Sequence, residues 1–254
     1  MIGCIIQARM GSSRLPGKTL KLINGNTPML KFQLNQLKFS KLIDKIIIAT
    51  TILESDHVIV DFCNKNNFEF FRGEVKDVLD RYYQCAKKNN FPIIVRITSD
   101  NPLIDPKIVD DVIHQFLNSD CDYMSTEYPK TYPLGFAVEI FNFKSLEKSW
   151  MEAKLPSERE HVTPFLLKNK NIFKHCNHSY EKNLSHIRCT VDTDNDFKLI
   201  EKIAQKLNMN PIHLENVLDL LSTEPDLLEI NRHIKHDGYE RSLKEDDEFL
   251  KNND

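Results

Sequence analysis

Glycine is scarce in this chain, seven residues in 254, and tryptophan occurs once. No run of about 18 apolar residues is present, which excludes a helical membrane span. The six cysteines (Cys4, Cys63, Cys85, Cys121, Cys176, Cys189) form no CxxC pair and no short repeated spacing. They do not read as a disulfide framework, and several sit in apolar runs as small reduced hydrophobes. A basic excess is also missing: 34 Lys and Arg against 37 Asp and Glu leave a formal charge of −3, which argues against a dedicated nucleic-acid binder. The N-terminus, Met1-Ile2-Gly3-Cys4-Ile5-Ile6, has no basic segment and meets Arg9 too soon for a secretory signal, so a cytoplasmic protein is expected. His175-Cys176-x-His178 is the one cluster that suggests a metal; without a second pair at zinc-site spacing it reads as loop.

What is present is an alternation of strand-length apolar runs with helix-like segments. Strands are expected at Gly3–Ala8, Lys45–Thr51, Phe68–Phe71 and Pro92–Thr98, with helices at Met29–Phe39, Val58–Asn64 and Val75–Lys88. Short β-rich runs separated by helices imply βαβ crossovers, hence an α/β, Rossmann-like, mostly parallel doubly wound sheet. Asp105-Pro106 opens a further helix to Leu117. Strands follow at Cys121–Ser125 and Phe136–Phe141 around a Tyr/Pro loop (Tyr128–Pro133), then helices near Phe143–Ala153 and Glu158–Lys168. A last strand, His186–Val191, precedes a helix at Asp194–Leu207. No linker or repeat interrupts the pattern. One domain is expected over 1–235, with an inserted subregion at about 120–185 and a charged C-terminal tail at 236–254, frayed from Lys244 onward.

Four of the seven glycines fall within the first 25 residues, two of them in Arg9-Met10-Gly11-Ser12-Ser13-Arg14-Leu15-Pro16-Gly17-Lys18-Thr19. In an open α/β sheet ligands bind beyond the carboxyl ends of the strands, where this loop lies. Glycines at 11 and 17 allow backbone N–H groups to approach phosphate oxygens, and Arg and Lys neutralise their charge. It is not a P-loop, since five residues separate Gly11 from Gly17 and an irregular stretch, Leu20–Pro28, follows. Nor is there a G-x-G-x-x-G.

The run from Gln7 to Lys18 resembles the signature of the cytidylyltransferase superfamily that activates acidic sugars (acylneuraminate and 3-deoxy-manno-octulosonate cytidylyltransferases), most closely its spore coat polysaccharide biosynthesis protein F family. The resemblance continues through Phe71-Arg72-Gly73, Asp77–Tyr82, Val95–Asp105, Glu158–Pro164 and Val191-Asp192-Thr193. The acidic-sugar enzymes usually carry Pro where this chain has Gln7.

The resemblance implies a nucleotidyltransferase that moves CMP from CTP to a sugar, acidic sugar or other small phosphorylated acceptor, releasing pyrophosphate, in surface polysaccharide or glycan synthesis. It further implies Mg2+ and a homodimer. By its position Asp100, at the end of the Pro92–Thr98 strand, is a metal ligand and catalytic residue, or an Asp turn before Pro102. Asp192 matches the second metal carboxylate, with Asp194 as helix cap. Arg9 and Lys18 are the catalytic cations for the leaving phosphates, and Ala8, Arg9, Gly11, Ser12, Ser13, Arg14 and Lys18 form the nucleotide site. Arg72 and Arg96 end strands at the same edge; they either touch nucleotide or acceptor, or pair with Asp80 or Asp100. Glu139, Glu158, Glu160 and His161 are acceptor-binding candidates, His161 alternatively being satisfied by a neighbouring carboxylate. A nucleotide-sugar-dependent glycosyltransferase of similar fold is the alternative, but its usual Asp-x-Asp is absent at Ser99-Asp100-Asn101.

Overall fold

The computed structural model describes residues 1–234 and 238–252, the side chains of 238–241 excepted. In chain order its strands are β1 (Ile2–Gln7), β2 (Leu22–Ile23), β3 (Thr27–Pro28), β4 (Lys45–Thr51), β5 (Glu69–Gly73), β6 (Ile93–Thr98), β7 (Tyr123–Ser125), β8 (Glu139–Asn142) and β9 (His175–Asn177). Its helices are α1 (Met29–Leu37), α2 (His57–Asn66), α3 (Val78–Lys88), α4 (Pro106–Leu117), α5 (Phe143–Glu152), α6 (Pro156–His161), α7 (Pro164–Lys168), α8 (Asp194–Leu207), α9 (Leu214–Thr223), α10 (Asp226–Glu229) and α11 (Gly238–Lys251).

The main sheet runs β5-β4-β1-β6-β8-β7-β9. The first four strands are parallel, β8 is antiparallel to both its neighbours, and β9 returns parallel to β7. This is the mostly parallel α/β class expected. Because side chains alternate across a strand, β1 feeds two cores: Cys4 and Ile6 join one cluster with α1 and α4, and Ile5 joins the other with α3. The carboxyl ends of β1 and β6 therefore sit side by side at the centre of one sheet edge.

Local chemistry moves several boundaries. Helix α3 starts at Val78, later than expected, because the Asp77 side chain accepts from Asp80 N at 2.8 Å and sets the cap. The helix expected at Glu158–Lys168 is two, divided at Val162 (φ +73°) and restarted by Pro164, which can donate no backbone N–H to a continuing helix. Thr193, not Asp194, caps α8: its hydroxyl accepts from Asp196 N while the Asp196 carboxylate reaches back to Thr193 N.

The strand expected at His186–Val191 is reduced to one bridge between Leu134 and Arg188. Its backbone shares partners, Cys189 N donating to Leu134 O and Val191 N to Asp100 O, instead of entering the sheet. The edge place is taken by β9, expected as loop. This brings Cys176 against Cys121, and the structure joins the two, correcting the expectation that the cysteines stay reduced; their Cα atoms are 6.0 Å apart. The other four cysteines are free and buried, and burial pushes the Cys63, Cys85 and Cys189 thiols up to about 12. Residues 244–251 are not frayed but part of α11; 235–237 and 253–254 lie outside the described residues.

Gly135 holds the bridge in place. Its φ is +107°, and a Cβ there would stand 2.6 Å from the backbone carbonyl of Cys189. Gly135→Ala is expected to cost about 1–3 kcal/mol for the backbone conformation alone, with the collision in addition. Gly11, where an added Cβ meets nothing within 4 Å, is the control, and Gly11→Ala should leave stability unchanged. Urea unfolding of both variants checks this; equal midpoints would contradict the contact at Cys189.

Candidate active site

The loop after β1 is held open by its own backbone contacts. Met10 N donates to Asp56 Oδ1 at 2.6 Å, Thr19 Oγ1 to Arg9 O at 3.0 Å, and Gly17 N to Met10 O at 3.0 Å. Gly17 makes the last turn with φ +75°, a conformation that favours glycine. The next residue, Lys18, then points inward, its side chain 11% exposed.

Lys18 Nζ donates to Val191 O at 2.6 Å and stands 3.0 Å from Asp192 Oδ1 and 3.5 Å from Asp100 Oδ2. The two carboxylates come from distant parts of the chain. Asp100 follows β6, with Oδ1 accepting from Thr98 Oγ1 at 2.5 Å, and its backbone O accepts from Val191 N. Asp192 precedes α8, and its Oδ2 meets Arg14 Nη2 at 3.2 Å and Arg188 Nη2 at 2.9 Å. Burial would raise the Asp192 carboxyl; Lys18, Arg14 and Arg188 outweigh it and hold the group below the usual carboxylate value.

These groups open on a cavity of about 750 Å3. Ala8, Arg9, Gly11, Ser12, Ser13 and Arg14 line it with Lys18, as do Asp100, Asp192 and Arg96. Glu139, Glu160 and His161 line it as well. Arg96 pairs not with Asp100 but with Glu139, through Nη1, and its Nη2 donates to Gln7 Oε1 at 3.1 Å. Glu139 also accepts from Tyr123 OH and Thr163 Oγ1, each at 2.7 Å. Burial lowers the His161 imidazole, against the opposing pull of Glu160.

Two candidates are not brought to the cavity. Arg72 is turned back on its own sheet, Nε donating to Thr51 O and Nη2 to Leu53 O, both at 2.9 Å. Glu158 is buried beneath the first turn of α6, where Oε2 accepts from Lys154 N and Leu155 N, so it caps a helix. Conversely, Gln7, Arg81, Glu127, Lys130, Thr163 and Ser242 line the cavity without having been named as site residues. Gln7 had a usable signal, since it is the last residue of β1 at the ligand edge. Ser242 had none.

The donor set also bears on a metal. Lys18 Nζ, a cation, already stands between Asp100 and Asp192, and two carboxylates with phosphate oxygens and water suit Mg2+. Among the described residues no group of three or more His, Cys, Asp or Glu forms a self-sufficient metal cage. Asp100 and Asp192 would supply the protein ligands of such an ion, with phosphate and water completing its shell.

Arg9, Arg14 and Lys18 of the loop after β1 thus share one wall of an open cavity with Asp100 and Asp192, a setting that suits the phosphates of a nucleotide, and the family match that follows makes the chain a nucleotidyltransferase. The sequence model of the Cytidylyltransferase family matches residues 3–218, and the chain belongs to that family. An uncharacterized protein of Methanocaldococcus jannaschii is 40% identical over 92% of this chain and 96% of its own length. The spore coat polysaccharide biosynthesis protein SpsF of Bacillus subtilis is 32% identical over 87% of this chain and 94% of its own. Among solved structures, a cytidylyltransferase from Leptospira borgpetersenii serovar Hardjo-bovis superposes with a TM-score of 0.87 at 34% identity, covering 92% of this chain and 99% of the other.

Proposed function

We propose that this protein transfers CMP from CTP to a sugar, acidic sugar or phosphorylated small acceptor in surface polysaccharide synthesis, with Mg2+ bound and pyrophosphate released. The observation that carries the proposal is Lys18 Nζ held between Asp100 and Asp192 at the inner end of the Ala8–Lys18 loop. Arg9, Arg14 and Lys18 supply cations for the phosphates, and the backbone at Gly11 leaves room for close approach. An acceptor oxygen attacks the α-phosphorus, a new P–O bond forms, and the bond to the β-phosphate breaks with its electrons leaving on pyrophosphate. Lys18 and Arg9 act on that developing charge, which is where interaction energy accelerates the step. Magnesium held by Asp100 and Asp192 would add charge neutralisation at the phosphates.

An acceptor phosphate needs no general base. A sugar hydroxyl must lose a proton, and His161, whose imidazole burial holds below its ordinary value, lies in the same cavity. We also place the protein in the cytoplasm as a homodimer; among the described residues no helix is long and apolar enough to cross a membrane. The test is pyrophosphate release with Mg2+, each of the four ribonucleoside triphosphates, and a panel of sugar phosphates and keto-acid sugars. Release is expected with CTP and at least one acceptor. No release across the panel, with no CTP binding by calorimetry, overturns the proposal.

A further inference from the structure

Helix α11 lies beyond residue 218, where the family match ends, yet it packs on α6 at the rim of the cavity. Two of its side chains are buried there, Ser242 and Asp246, one turn apart on the same face. Asp246 fastens the helix: it accepts from Ser157 N at 2.8 Å and Ser157 Oγ at 2.6 Å. Ser242 touches different groups. Its hydroxyl donates to Glu160 Oε2 at 3.1 Å and lies 2.7 Å from His161 Nε2. A hydroxyl has one proton to give, so donation to Glu160 makes His161 Nε2–H the donor in the second bond and selects that tautomer.

Glu160 also looks toward the phosphate loop, its Oε1 lying 3.9 Å from Arg9 Nη2. Both side chains of that pair are more than a third exposed, and an exposed ion pair at that distance is weak. A triphosphate offers Arg9 shorter, charge-assisted hydrogen bonds, so Arg9 leaves Glu160 when the nucleotide arrives. Glu160 is then held by Ser242.

We infer that Ser242 is a positioning residue of the active site, which fixes Glu160 and His161 on the acceptor side and, through Glu160 and Arg9, ties α11 to occupancy of the phosphate loop. This inference rests on CTP being the ligand of that loop. A purely structural helix would need only the Asp246 bonds. The contacts of Ser242 are with two cavity residues, and Glu245, one turn further along, lines the cavity as well.

The test uses the full chain with CTP and Mg2+ as the probe. In wild type, CTP should change amide exchange across 156–161 and 242–250 by about fivefold, the worth of one hydrogen bond. Ser242→Ala should still bind CTP, lose that response, and shift the NMR titration of His161; Ser242→Thr should restore both. Glu160, Glu139 and Asp246 face this imidazole as anions and Arg96 as a cation, so Ser242→Ala alters its surroundings without removing a charge. Glu160→Gln keeps a partner for Ser242 while removing the charge that Arg9 meets; it should leave α11 protected and abolish the response. Bound CTP without any exchange change in wild type overturns the inference alone, as does a Ser242→Ala protein that keeps both the response and the His161 titration. Failure of wild type to bind CTP overturns the cytidylyltransferase proposal itself.

Discussion

Asp100→Asn is expected to lower pyrophosphate release from CTP by about 10^2–10^3-fold or more, the scale of losing one preorganised electrostatic contact to a transition state. The substitution is close in shape, and the backbone at this position is pinned by the neighbouring segment, Asp100 O accepting from Val191 N and from Thr190 Oγ1. The chain should stay where it is. What changes is charge: Oδ2, which faces Lys18 Nζ at 3.5 Å, no longer balances a cation, and a neutral amide is a poor ligand for a hard metal ion. The Asp100 side chain is 29% exposed, so little folding energy is at stake and the unfolding midpoint should match wild type. Calorimetry separates the roles. With EDTA present the variant, one anion poorer beside the phosphates, should bind CTP at least as tightly as wild type, and only wild type should gain affinity when Mg2+ is added. Equal Mg2+ dependence in the two proteins would remove Asp100 from the metal site.

How much of this was legible in the sequence follows from the distance between partners. The Ala8–Lys18 loop could be read because its cations, hydroxyls and glycines are contiguous and follow a strand. Asp100 could be read because strand-end position alone brings it to the ligand edge. Arg72 met the same positional rule and fails it: the carbonyls of Thr51 and Leu53 end the neighbouring strand and capture the guanidinium. Glu158 fails for a similar reason, since two backbone N–H groups of its own helix start are nearer than any ligand. Ser242 sits in a charged run more than 80 residues from its partners Glu160 and His161, and no local pattern announces the contact. The pairing of Cys121 with Cys176, 55 residues apart, needed the register of β7 and β9. Periodicity gave the parallel half of the sheet. It misplaced the 186–191 segment, whose backbone bonds to Leu134 and to Asp100 O instead of joining the main ladder.

Asp196→Asn should be the most destabilising single change near the site, costing about 3–5 kcal/mol, because it breaks a buried ion pair by removing one partner. Asp196 is fully buried, and its two oxygens accept from Arg188 Nε at 2.8 Å, Arg188 Nη2 at 3.1 Å, Asn231 Nδ2 at 2.9 Å, Asp192 N at 3.0 Å and Thr193 N at 2.9 Å. An amide keeps one acceptor oxygen and puts an N–H2 where a donor already points. Arg188 has nothing in reserve, since its Nη1 is buried without a hydrogen-bond partner among the described residues. The guanidinium must then lean on Asp192 alone, drawing it from Lys18, so activity should fall along with stability. Acid should act on the same contacts. Burial raises the Asp196 carboxyl, but the Arg188 and Asn231 hydrogen bonds prevail, and it stays below its ordinary 3.8, as Asp192 does. A carboxyl depressed in the fold stabilises fully above its unfolded value, and that contribution drains away as pH falls through the folded value. Wild type should therefore lose stability below about pH 4. Asp196→Asn, having already lost the larger part, should show a shallower acid slope in urea unfolding between pH 7 and pH 3. A parallel slope, or a cost under about 1 kcal/mol, the worth of a single hydrogen bond, would mean that Arg188 finds other partners and that Asp192 is held without it.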